Sequence, residues 1–261
     1  MMIAVLSPAK SLDFTPPPAG VPSTVPEFMA ESEELIGTLR RLSRKQLAKL
    51  MDLSDSLAAL NYERFQAWSP EVSAANAKQA LLAFDGDVYQ GFALDDYTRP
   101  DFTFAQKHLR ILSGLHGVLR PLDLIQPYRL EMGRSLKTRR GPDLYAFWGS
   151  KITDTLNAAL DPDRSGVLIN LASQEYFAAV DPAHLRGRVL SCVFKDEKLG
   201  QFKILSFFAK RARGMMADFI IRERVTTPSG LKDFTAAGYQ YDPGSSTPDQ
   251  LVFLRPEKAA A

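Results

Sequence analysis

"RVLSCVFKDEKLGQFKILSF", residues 188–207, decides the class of fold. Apolar residues recur at alternate positions, Leu190, Cys192 and Phe194, and again after Gly200 at Phe202 and Ile204. That period-two pattern predicts two strands turning about Gly200, an antiparallel hairpin. The segments around it read differently. "MIAVLS" (2–7), "LRILS" (109–113) and "GVLINLAS" (166–173) are short apolar runs of the kind buried on both faces of a sheet, and "QLVFLRP" (250–256) reads as a final strand. Helical spacing intervenes, but without strict strand–helix alternation. The expectation is an α+β fold in a single domain over residues 1–261, with a mixed sheet and packed helices.

Several helices are legible. Leu35, Ile36, Leu39 and Leu42 recur at helical spacing. Ser43 and Gln46 then form a capping box for "RKQLAKLM" (44–51), and a break at "DLSD" (52–55) precedes "SLAALNYERFQAW", apolar at Leu57, Leu60, Phe65 and Trp68. Ser69-Pro70 predicts another helix start, "QALLAF" (79–84) a strand, and "DLYAFWGSKITDTLNAAL" (143–160) one helix. "FAKRARGMMADFIIRERV" (208–225) reads as an amphipathic helix. The proline-rich "FTPPPAGVPSTVPEF" (14–28) must be extended, because each proline fixes its own φ and restricts the residue before it.

Composition narrows the function. The net charge of +2 is only mildly basic, so a polyanion partner would have to meet a local patch. One cysteine, Cys192, excludes an internal disulfide framework and reads as buried filler in a reducing compartment. "MMIAVLSPAK" has no signal-peptide pattern and no apolar run approaches membrane-spanning length, so the expected location is the cytoplasm. His108, His116 and His184 are scattered, which argues against a metal site. No Walker-type, dinucleotide or nucleophile-elbow motif occurs, and Asp85-Gly86-Asp87 suits a turn as well as a Mg²⁺ site.

Charge is segregated along the chain. Glu27, Glu31, Glu33 and Glu34 are followed by Arg40, Arg41, Arg44, Lys45 and Lys49; further basic neighbourhoods run from Arg129 to Lys151 and from Lys195 to Arg224. Cations around Ser43 oppose the helix dipole, a conflict that a phosphate would relieve. The two helices around "DLSD" suggest a helix-hairpin-helix unit holding a duplex backbone, with Arg40, Arg41, Ser43, Arg44, Lys45 and Lys49 as its contacts. "DLSD" lacks the glycines usual in such turns. "SGLHGVLRPLDLIQPYRLEMG" (113–133) is too stiff for a loop and too broken by Pro121 and Pro127 for a helix. On extended backbone Arg129 and Glu131 share a face and can pair, either as an internal salt bridge or as a cationic wall held in place by Glu131.

Six ordered stretches resemble the YaaA peroxide-stress protein family: "SPAKSLDF" (7–14), "LLAFDGDVYQG" (81–91), "HLRILSGLHGVLRPLDLIQPYRLEMG" (108–133), "LYAFWG" (144–149), "NLASQEYF" (170–177) and "FAKRARGMMADFII" (208–221). The resemblance covers residues 1–255 and leaves 256–261 as a loose tail. It implies a cytosolic α+β protein of the hydrogen peroxide stress response. It further implies limitation of unincorporated iron and DNA binding through a positively charged cleft and a helix-hairpin-helix unit. No cofactor, metal or established enzyme activity is implied. Carried onto this chain, the cleft cations are Lys10, Arg120, Arg129, Lys210, Arg211 and Arg213. The polar cleft residues are Tyr128, Glu131, Asn170, Ser173, Glu175 and Tyr176. The expected partner is DNA, bound without sequence preference. The rival is a small phosphorylated or carboxylated ligand in the same cleft, bound or chemically transformed.

Overall fold

A computed structural model describes residues 1–160 and 166–257; of the expected tail, 258–261 lie outside the described residues. The 166–171 run forms the strand Val167–Leu171, hydrogen-bonded to the first strand of the chain along its whole length. In chain order, the elements that build the molecule are β1 (Met2–Leu6), α1 (Met29–Leu39), α2 (Arg44–Met51), α3 (Asp55–Ala67), α4 (Arg99–His108), β2 (Leu109–Ser113) and β3 (Gly117–Leu119). Then come α5 (Leu144–Trp148), α6 (Lys151–Ala159), β4 (Val167–Leu171), α7 (Gln174–Phe177), β5 (Arg188–Lys198), β6 (Gln201–Lys203), α8 (Ser206–Arg222), β7 (Gln240–Tyr241) and β8 (Gln250–Arg255).

Among the described residues, eight strands form one mixed sheet in the order β7-β8-β5-β4-β1-β2-β3, with β6 attached to β5 as a hairpin. The central pairings β8–β5, β5–β4, β4–β1 and β1–β2 are parallel; β3, β6 and β7 pair antiparallel. The 188–207 hairpin is therefore real but peripheral, and β5 pairs in parallel with β4 over residues 188–191 and with β8 over residues 191–196. Every residue of β1 is buried, as a strand covered on both faces requires. In β5, Leu190, Cys192, Phe194 and Asp196 alternate inward. Phe194 anchors an aromatic cluster with Phe234, Tyr239 and Phe253.

Three local expectations are corrected. "QALLAF" contains a single helical turn, Ala80–Ala83, between two-residue strand pairings, because its backbone follows the 121–125 segment: Ala80 N donates to Asp123 O and Leu81 N to Pro121 O. No helix starts at Ser69-Pro70; that stretch is held as a loop by Gln126, whose amide exchanges hydrogen bonds with Ser69. The helix expected over 143–160 is two, α5 and α6, broken at Gly149, whose φ of 50° leaves the helical region. In α3, Leu57 and Leu60 are exposed while Ala58, Asn61 and Phe65 turn inward.

α2 and α3 pack together across the connection Asp52–Ser54. Asp52 takes the left-handed conformation (φ 54°) that glycine usually supplies at a helix end, and the Ser43–Gln46 capping box forms as expected. α8 lies against β5, β1 and α4. Its close contact with the Tyr89–Gly91 turn depends on Gly214, where an added Cβ would stand 1.7 Å from Val88 O.

Candidate functional site: a cavity at the carboxyl ends of the parallel strands

The chain leaves β1 for β2 on one side and later returns as β4 on the other, so the strand order reverses at β1. In open α/β sheets such a reversal opens a crevice beyond the strands' carboxyl ends. A cavity of about 440 Å³ occupies this place. Its floor comes from the ends of β1 and β4. Ser173 N donates to Ser7 Oγ at 2.9 Å and the two hydroxyls are 3.3 Å apart, tying the loops after the strands together. Ser173 also caps α7.

The wall is the 128–133 segment. Tyr128, Leu130 and Met132 are buried along it, which holds the polar side chains between them in place. Tyr128 is buried, its hydroxyl 2.7 Å from Ser113 Oγ, and burial pushes its pKa up. Arg129 donates from Nε and Nη2 to Glu131 Oε1. Arg134 Nη2 and Lys10 Nζ approach the same oxygen at 3.4 and 3.6 Å. Burial alone would raise the Glu131 pKa; the charge and hydrogen bonds of Arg129, with Arg134 beyond, outweigh it and hold the carboxyl below its ordinary value. Glu131 is thus an anion, and Arg129 keeps its side facing the cavity. Across the opening, α8 contributes Lys210 and Arg213, and the 85–87 turn contributes Asp85 and Asp87; Lys210 Nζ is 3.2 Å from Asp87 Oδ2. Desolvation lowers the pKa of Arg213. Glu175 accepts from Gly133 N at 2.9 Å, joining α7 to the end of the wall. Tyr176 is buried, and burial together with nearby Tyr128 raises its pKa.

Lys10, Tyr128, Arg129, Glu131, Ser173, Glu175, Tyr176, Lys210 and Arg213 therefore converge on one cavity. Three expected members do not line it. Arg120 is committed elsewhere: Nε and Nη2 bind Asp123, and Nη2 also reaches Val25 O. Asn170 turns back to accept from Ala172 N at 3.0 Å. Arg211 sits on the exposed side of α8. Sequence reading left Asp85 and Asp87 between a turn and a Mg²⁺ site; Asp85 pairs with Ser11, Asp87 lies in a turn, and both line the cavity rim. The same reading missed Ser7, whose position at the end of a fully buried strand was the available signal.

The cations around Ser43 also behave differently from expectation. Arg40 relieves the unfavourable dipole contact internally, donating to the carbonyls of Phe65, Gln66 and Trp68 at the end of α3. Arg44 pairs with Glu63 at 2.6 Å and lies over the Tyr62 ring; Arg41 donates to Thr38. Lys45 and Lys49 are exposed. Lys49 faces a second depression of about 530 Å³ between α1, α2 and the 133–137 segment, where Arg134 and Lys137 join it and, among the described residues, no acidic one lines the surface.

Among the described residues, no three His, Cys, Asp or Glu side chains group to hold a metal, and no helix is long and apolar enough to cross a membrane. Cys192 is buried, which pushes its thiol up to about 12. A family model described as peroxide stress protein YaaA matches residues 2–245, spanning the cavity wall, the 85–91 turn and α8. The chain belongs to the peroxide stress protein YaaA family.

Proposed function

We propose that this protein acts in the cytoplasm during peroxide stress by binding DNA through its phosphate backbone, largely without sequence preference, and so shields it from damage. The observation that carries this reading is a run of cations that connects the second depression to the cavity, whose own lining carries four cations beside four carboxylates. Arg134 lines that depression with Lys49 and Lys137, and it also pairs with Glu131 in the cavity wall. A strip from Lys49 through Arg134 and Arg129 to Lys10 and Arg213 can follow a polyanion past the α2–α3 pair, which takes the place of the helix-hairpin-helix unit in this proposal. Limitation of free iron belongs to the same proposal, and we assign it no residue.

Fluorescence anisotropy of a labelled duplex, titrated across salt, tests it. About four phosphate contacts should give a log–log slope near −3.6, similar for unrelated sequences. Absence of binding at low salt, or binding that ignores salt, refutes it.

One observation favours a second reading. The cavity is of small-molecule size and combines Lys10, Arg129 and Arg213 with serine and tyrosine hydroxyls, an inventory suited to a phosphorylated or carboxylated ligand. A thermal-shift screen of mononucleotides and carboxylates decides between them. Stabilisation by a small anion, with no binding to duplex, selects this reading.

A further inference from the structure

The hairpin that opens into α8 carries an apolar tip that the described residues leave exposed. β5 and β6 are joined through Leu199 and Gly200, both with positive φ, 53° and 74°. Such a turn favours asparagine or glycine at its first position, and a leucine there is disfavoured on steric grounds. Leu199 is nevertheless 87% exposed, so packing against the described residues does not account for it. Phe202, Ile204 and Phe207 follow, 41%, 58% and 53% exposed. Lys198 and Lys203 flank the tip, and on the first turns of α8 Phe207, Lys210 and Arg211 share a face by their spacing. Among the described residues, Lys198, Lys203 and Arg211 have no acidic partner, whereas Lys210 reaches Asp87 at the cavity rim. The patch thus runs from the hairpin tip to the cavity.

We propose that this hairpin is a wedge for duplex DNA: Leu199 and Phe202 enter between base steps from the minor groove, while Lys198, Lys203 and Arg211 hold the phosphates on either side. The inference rests on the DNA-binding reading above. Apolar side chains bordered by cations suit a polyanion whose interior is a stack of apolar faces. A second copy of this chain fits the patch poorly. A two-fold interface places the same surface on both subunits, and would set these cations against one another.

The test uses the full chain, a duplex containing 2-aminopurine and a doubly labelled duplex that reports bending. The principal variant is Leu199→Asn with Phe202→Thr. Asparagine accepts positive φ and threonine suits a strand, so the hairpin is retained; Leu199→Asn alone provides a second, milder variant. Wild-type protein should raise 2-aminopurine fluorescence several-fold and bend the duplex. The double variant should bind about tenfold more weakly, the loss of roughly one stacking contact, with the salt slope unchanged and the fluorescence rise abolished. Lys198→Ala with Lys203→Ala should do the reverse, lowering the slope by about 0.9 per contact while keeping the fluorescence rise. The wedge is overturned if wild-type protein binds without unstacking, or if the apolar variants unstack as well as wild type. It is equally overturned if sedimentation shows a dimer that the apolar variants dissociate while duplex binding is unchanged. In each of these cases DNA binding itself stands. Failure of wild-type protein to bind duplex at low salt overturns both readings.

Discussion

Arg129 gives both Nε and Nη2 to a single oxygen of Glu131, at 3.2 and 3.0 Å. The guanidinium is 14% exposed and the carboxylate 5%, and both line the cavity. Among the described residues nothing accepts from Arg129 Nη1. The pair is therefore structural and presented at once: Glu131 spends one oxygen fixing the arginine, and a third nitrogen remains for an incoming anion.

Glu131→Gln should lower stability by about 3 kcal/mol near neutral pH, because it leaves Arg129 and Arg134 without their counter-charge in a buried wall. The carboxyl is held below its ordinary value of 4.5, so its stabilisation is complete above that value and declines as pH falls below it. Denaturant unfolding of both proteins should show the wild-type advantage shrinking below about pH 4.5. An advantage that stays constant down to pH 3 contradicts the assignment.

Arg120 and Lys137 should separate stability from binding. Arg120→Ala removes the guanidinium from Asp123, which is buried, and should cost about 2 kcal/mol in unfolding experiments while leaving the salt slope of DNA binding intact. Lys137→Ala touches no ion pair among the described residues and should keep stability while reducing the slope by about 0.9.

Gly214→Ala should destabilise by about 3 kcal/mol, since the new Cβ falls within 1.7 Å of Val88 O. Relief of that clash moves α8 away from the 85–91 turn and with it Lys210 and Arg213. DNA binding should weaken even where the folded population is complete, measured by anisotropy at low temperature.

Cys192 should not sense peroxide. The thiolate is the reactive species, and a buried thiol pushed up to about 12 is almost wholly protonated at neutral pH. Intact mass after peroxide treatment should show no oxidised Cys192 in native protein and oxidation once it is unfolded. Because it is the chain's one cysteine, oxidation in the native state would instead point to a thiol chemistry that the fold conceals.

Local sequence determined a great deal. The all-apolar run 2–6 became a strand buried on both faces, Ser43 and Gln46 capped α2, and "DLSD" separated α2 from α3. These are decided by side-chain period and short-range hydrogen bonds, which neighbouring residues contain in full. The pairing of Arg129 with Glu131 was legible for the same reason, two positions apart on an extended segment. Where a longer-range partner intervened, reading failed: Gln126 holds the Ser69 loop, and the 121–125 backbone recruits residues 79–81.

What only the tertiary structure decided was which cations, paired or not, still face a cavity. Arg40, Arg44, Arg120 and Arg129 look alike in sequence, each basic and each beside a break in regular structure. Folding gives Arg40 to carbonyls 25 to 28 residues away, Arg44 to Glu63 and Arg120 to a buried Asp123 and to Val25 O. It leaves Arg129 at a cavity formed where the strand order reverses at β1. Charge is a property of the residue, and the sequence determines it; whether that charge is already compensated depends on partners that only the closed sheet brings within reach.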